Sequence, residues 1–178
     1  YWRLIVALAR YGGLRCPSEI LPLRWSDVLW DQNRLVVHTQ KTERYGKESR
    51  IIPIFAELRP YLEEAFAIAK PGDEFIFPEE LRRRNRGPTG WKACNLRTQL
   101  TRIIRLAGLQ PWPRLYQNLR SSRATEIDRN FGLVAVREWL GHTEVIALAH
   151  YLQVTENDFQ RAATVPSVIQ VPVHVVPT

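Results

Sequence analysis

The sequence predicts an α+β domain, mostly helical, with one small three-stranded antiparallel sheet in its N-terminal third. Two patterns carry that expectation. Apolar residues recur at helical spacing over most of the chain, and the period shifts towards two only between residues 26 and 54. The length of 178 residues, 45% of them apolar and 24% charged, suits one domain with a sizeable core and a solvated surface.

Taken in order, Trp2, Ile5, Val6, Leu8 and Ala9 lie at helical spacing, and Gly12-Gly13 ends that segment. Pro17-Ser18-Glu19 opens a second short helix to about Leu23. Val28 and Trp30, then Leu35 and Val37, form two short runs around an Asp31-Gln32-Asn33 hairpin turn. Ser49 to Ile54 supplies the third strand, after a polar loop from Gln40 to Glu48. Ala56 to Lys70 reads as an amphipathic helix closed by Pro71-Gly72. A short apolar run, Glu74 to Phe77, precedes an arginine-rich loop from Arg82 to Pro88. Ala93 to Ala107 is helical, Pro111-Trp112-Pro113 is a rigid connector, and three helices follow at Gln117–Asn130, Leu133–Leu140 and Thr143–Val154. The domain is expected to span residues 1–164, with an extended tail over 165–178 that is rich in valine and proline.

Composition removes several function classes. No apolar run approaches the ~20 residues that span a bilayer, and no signal-peptide pattern opens the chain. Cys16 and Cys94 stand far apart, without a Cys-x-x-Cys or clustered histidines, which argues against a zinc site or disulfide framework and for a reducing, cytoplasmic location. With no methionine, and Tyr1 already inside an apolar-periodic stretch, the chain reads as a piece of a longer protein. The net charge is +7 and unevenly placed. Between Arg82 and Arg123 lie 11 basic residues and no acid, a single-sign field that suits a polyanion. Arg82, Arg83, Arg84, Arg86 and Arg123 are the candidate contacts to it. A basic exposed face without a partner explains the charge equally well, whereas a membrane surface is disfavoured because no Lys-rich amphipathic face is present.

Four scattered signals bear on chemistry. Gly13-Leu14-Arg15-Cys16-Pro17-Ser18-Glu19 puts an arginine on a glycine-led turn, where backbone N–H groups and a guanidinium can approach an anion. By itself Arg15 would as readily pair with Glu19 or Asp27. Lys41-Thr42 lies in the loop between the second and third strands, a place where a lysine is usually only solvated. Gln117-Asn118-Leu119-Arg120 sets residues 117 and 120 on one helical face. Leu140-Gly141-His142 is followed nine residues later by Tyr151, which has apolar neighbours.

In this order, Arg15, Lys41, Gln117-x-x-Arg120, Gly141-His142 and Tyr151 resemble the catalytic domain of the tyrosine recombinases, the phage integrase family. The likeness runs from about Tyr1 to Arg161. Through Pro111-Trp112-Pro113, Gln117 to Ser122 and His150 to Thr155, it looks more narrowly like integrase-type proteins of planctomycete-like bacterial genomes. The resemblance implies the DNA breaking-rejoining fold and cleavage of one strand of duplex DNA through a 3′-phosphotyrosine. Tyr151 matches the nucleophile, Arg15 and Arg120 the pair that clamps the phosphate, Lys41 the general acid towards the leaving 5′-oxygen, and His142 a donor to the phosphate. It further implies no metal or cofactor, a homo-tetramer on DNA formed from monomers, a place at the bacterial nucleoid, and an N-terminal DNA-clasping domain beyond this fragment.

One residue departs from the pattern. The family usually has histidine where this chain has Gln117, and an amide donates a hydrogen bond but takes no proton at neutral pH. His150, adjacent to Tyr151, diverges from it on a helix and makes a poor substitute. The second reading is therefore a catalytically weakened DNA-binding domain of the same fold. A third, a helical scaffold with a basic protein-binding face, leaves the ordered set unexplained.

Overall fold

The computed structural model describes residues 1–39, 49–88, 90–92 and 94–141. The loop holding Lys41, the helix expected over Thr143–Val154 and the tail from Val165 lie outside the described residues. In chain order the elements are α1 (Trp2–Arg10), β1 (Val28–Leu29), β2 (Arg34–His38), β3 (Ser49–Pro53), α2 (Arg59–Ala67), α3 (Glu79–Arg84), β4 (Arg86–Gly87), β5 (Gly90–Trp91), α4 (Cys94–Leu106) and α5 (Leu115–Leu140). The fold is thus mostly helical with a small three-stranded antiparallel sheet, as the sequence predicts.

α1 is the centre of the core. Leu4, Ile5 and Leu8 are buried on its inner side, facing α2 and the long α5. Each such side chain contributes about 1.5–3 kcal/mol by leaving water. The sheet runs β1-β2-β3, with Leu35 opposite Ile52 and Val37 opposite Arg50. Leu35, Val37 and Ile52 are wholly buried while Ile51 is half exposed, the alternation that a one-sided sheet requires. Because strand faces repeat every second residue, Arg50 shares the inward face of Ile52.

Four local expectations change. Residues 16–22 form consecutive turns rather than a helix. Glu19 and Leu21 donate to the carbonyls of Arg15 and Pro17, but Pro22 has no N–H with which to continue. Trp30 starts a short 3-10 turn instead of ending a strand, and Asn33 closes it in the left-handed conformation that asparagine tolerates. α2 begins at Arg59, with Pro60 in its first turn, not at Ala56. Arg82, Arg83 and Arg84 end a helix rather than sit in a loop. Glu79 and Glu80 stand at its start, so both charges oppose the helix dipole favourably.

α5 contains a break at Gly132 (φ 80°, ψ 170°), which separates the two helices expected on either side of it. Only glycine enters that conformation without strain. Its consequence is geometric. Twenty residues of unbroken helix would hold Arg120 and Leu140 about 30 Å apart. The break returns the second arm, and the Leu140 carbonyl lies 2.5 Å from Arg120 Nη2.

Candidate active site

The turn after α1, strand β3 and both arms of α5 meet around one carboxylate, Glu19, which is 2% exposed. Arg15 donates to it through its backbone N–H at 2.8 Å and through Nη1 at 2.5 Å. Arg50 reaches it in a two-point fork, Nη1 to Oε1 at 2.9 Å and Nη2 to Oε2 at 2.7 Å. Arg120 Nη1 stands 3.7 Å from Oε2. The pairing of Arg15 with Glu19, the plainer of the two expectations for that arginine, is therefore present. It does not consume the cationic charge, because three guanidiniums share the one carboxylate.

Main-chain oxygens complete the frame. Arg120 donates to the carbonyls of Gly13 and Leu140, Arg50 Nε to that of Trp139 at 2.6 Å, and Arg15 Nη2 to that of Gly141 at 3.4 Å. Gly13 is needed for this approach. Its φ is +66°, and a Cβ there would come within 2.6 Å of Leu140 Cδ2. Arg120 is buried, Arg50 nearly so, and Arg15 is 29% exposed, so the cluster opens to solvent at Arg15.

The electrostatics are one-sided. Burial alone would raise the Glu19 carboxyl, but the hydrogen bonds and charge of Arg50, followed by Arg120 and Arg15, outweigh it and hold the group at about 2. Guanidiniums stay protonated in proteins. At neutral pH the four side chains carry a net charge of +2. A second cluster on α5 is different. There Arg10 and Arg123 face Glu126 and Glu57, and the charges balance. Next to Arg15, burial pushes the Cys16 thiol up to about 12, so it is no competing nucleophile at neutral pH.

Of the expected catalytic residues, Arg15 and Arg120 are brought together. Gln117 lies exposed on the first turn of α5, three residues before Arg120. Lys41, His142 and Tyr151 fall outside the described residues, although Gly141, which ends α5, directly precedes His142. Arg50 was not anticipated from the sequence. The available signal was its register, on the same face as Ile52 and opposite Val37.

The expected polyanion contacts divide. Arg83, Arg84 and Arg86 are exposed, and among the described residues no ion pair ties them to a carboxylate. Arg82 is half-buried, its guanidinium 3.6 Å from the centre of the Phe75 ring, with Arg24 over the same ring at 4.8 Å. These residues line a groove of about 890 Å³ that also takes in Arg86, Trp91 and the Asp27–His38 pair, whose polar atoms are 3.0 Å apart. Arg123 is a correction. It is 6% exposed, stacks on Phe55 at 3.9 Å and pairs with Glu126 at 3.0 Å, so it belongs to the interior. Among the described residues no group of three His, Cys, Asp or Glu could hold a metal ion, and no helix is long and apolar enough to cross a membrane.

Solved structures share this architecture. The XerA recombinase superposes over 90% of the chain with a TM-score of 0.63 and 22% identity, the XerH site-specific recombinase bound to palindromic difH substrate over 92% with 0.60 and 22%, and the Tn1549 transposon integrase in complex with circular intermediate DNA over 89% with 0.59 and 16%. The chain spans about half of each, 56%, 45% and 55% respectively. No curated protein matches it. The phage integrase family model matches residues 1–158 of the 178, a span that takes in every described residue. With the family model covering that span and the recombinase fold beneath it, the chain belongs to the phage integrase family.

Proposed function

We propose that the chain is the catalytic domain of a site-specific DNA recombinase, which cleaves and rejoins strands of duplex DNA through a 3′-phosphotyrosine. The observation that carries this reading is the clustering of Arg15, Arg50 and Arg120 around the single carboxylate of Glu19, four side chains that together carry a net charge of +2. A phosphodiester carries one negative charge, and attack by a phenolate brings it to two in the five-coordinate transition state. A positive cluster attracts the doubly charged transition state more strongly than the singly charged ground state, and that difference is what lowers a barrier.

In this reading the Tyr151 oxygen forms a bond to phosphorus while the bond from phosphorus to the 5′-oxygen breaks. The phenol gives its proton to solvent water as it attacks, and the Lys41 ammonium gives one to the departing 5′-oxygen, leaving a neutral amine. Arg15 and Arg120 bind the non-bridging oxygens, and His142 donates to one of them. Gln117 can donate to the phosphate but takes no proton, so deprotonation of the tyrosine proceeds without a base at that position. The working assembly is a tetramer on DNA formed from monomers at the bacterial nucleoid, and the finer likeness to planctomycete-type integrases rests on the segments around Trp112 and Tyr151.

The test is incubation of the full-length protein with a pool of nicked duplexes that trap the cleaved strand. A covalent protein–DNA band whose modified peptide contains Tyr151 is expected. An adduct on another residue, or none with DNA bound, overturns the reading. The exposed arginines in and beside the groove add a second expectation. Changing Arg83, Arg84 and Arg86 to glutamine should weaken duplex binding evenly across sequences and flatten its salt dependence by about one unit of slope for each phosphate left without its arginine. An unchanged slope in a filter-binding series would place the DNA elsewhere.

A further inference from the structure

We propose that Arg50 is a positioning residue of the cleavage site, a side chain that locks the Arg15 turn, the sheet and the end of α5 into one frame. The inference rests on the recombinase reading above for its activity arm alone. Arg50 sits on β3 at the inward register, and its guanidinium is used on two sides. One side forks onto both oxygens of Glu19, at 2.9 and 2.7 Å, and the other, Nε, holds the Trp139 carbonyl at 2.6 Å. Glu19 in turn takes Arg15 by backbone and side chain, and stands beside Arg120. The Trp139 carbonyl lies in the last turn of α5, next to the Leu140 carbonyl that Arg120 grips.

Among the described residues the hydrogen bonds of Arg50 go to the Glu19 carboxylate and the Trp139 carbonyl. Arg50 is 9% exposed, against 29% for Arg15. Its effect passes through the groups it holds. Without it, Glu19 keeps Arg15 by one edge and Arg120 at a distance, and the end of α5 loses its tie to the sheet. Only a planar fork with three donors in fixed directions can meet Glu19 and Trp139 together. An ammonium can meet Glu19 as a point charge but cannot hold both.

Two variants of the full chain separate this role from bulk stabilisation. Arg50→Gln removes the charge, and Arg50→Lys keeps it while losing the fork. With the nicked-duplex pool, Arg50→Gln is expected to bind DNA as the parent does and to form adduct about 10²-fold more slowly, the scale of a misplaced reacting group. Its rate should also fall more steeply than that of the parent as the pH is lowered, because a buried Glu19 stripped of its main partner takes up a proton at higher pH than in the parent. Arg50→Lys should abolish the added pH dependence yet stay slow. Adduct formation by Arg50→Lys at the parental rate overturns the proposal, as does a slow Arg50→Gln with the parental pH profile.

The carboxyl of Glu19, followed by carbon-13 NMR in the absence of DNA, gives a readout independent of cleavage. Its titration should move to higher pH in Arg50→Gln and return most of the way in Arg50→Lys. An unmoved titration in both variants overturns the proposal. If the parent forms no adduct while the titration moves as expected, the recombinase reading fails and the frame around Glu19 stands. If Arg50→Gln does not fold, Arg50→Lys decides alone by the same rate and titration criteria.

Discussion

Arg120→Ala is expected to form no detectable covalent adduct and to unfold about 3–5 kcal/mol more easily than the parent, the cost of breaking a buried ionic network by removing one partner. The two losses have different origins. Stability falls because the Gly13 and Leu140 carbonyls, both turned onto the guanidinium, are left without donors in the interior, and because Glu19 loses one of its cations. Cleavage falls, in the proposed recombinase reading, because the guanidinium assigned to the non-bridging oxygens is gone. Arg120→Lys separates them. An ammonium restores the charge and reaches one carbonyl, so most of the stability should return, while adduct formation stays about 10²–10³-fold down for want of a second directed donor. Urea unfolding and adduct rates on the same preparations check both parts. A lysine variant cleaving at the parental rate would refute the directional role of the guanidinium.

Glu19 controls the second large effect, and its sign follows from the direction of its shift. The folded carboxyl titrates at about 2, below the ordinary value of 4.5. Its stabilising contribution is therefore complete above about pH 4.5 and disappears as the pH falls from there to about 2, with a total on the order of 3 kcal/mol. Glu19→Gln lacks the charge at every pH. The stability gap between parent and variant should be widest at neutral pH and close through that acid window. Glu19→Ala should be worse than either, since it leaves three guanidiniums crowded without a carboxylate or an amide between them. A gap that stays constant from pH 7 to pH 2 would show that the carboxylate contributes shape rather than charge.

The parts of the fold that could be read in the sequence are those where a single period dominates. The short runs around Leu35 and Val37 located the sheet, and the two helical patterns that stop at Asn130 and resume at Leu133 leave between them the place where α5 breaks. The misreadings came where a second constraint acts. Pro17 and Pro22 bracket too few residues for a helix, and the row Arg82-Arg83-Arg84 looks like a loop until Glu79 and Glu80 are counted as its opposite pole. At the site, Arg15 and Arg120 were legible because their neighbours form recognisable short motifs. Arg50 has no such neighbours, and a basic residue next to Ser49 on a strand resembles any solvent-facing one. Arg123 failed for the opposite reason. The acid-free stretch that nominated it ends there, and Glu126, which neutralises it, lies three residues further on.

Four of the oxygens that hold Arg15, Arg50 and Arg120 belong to the main chain, at Gly13, Trp139, Leu140 and Gly141. A carbonyl comes with every residue, so substitution can displace that wall of acceptors but cannot delete it. The genetic target through which the arrangement can be lost is correspondingly narrow. It consists of three arginines, one glutamate and the glycine whose missing Cβ lets the wall close. A lineage can therefore replace most of its other residues and still inherit the same ring of acceptors.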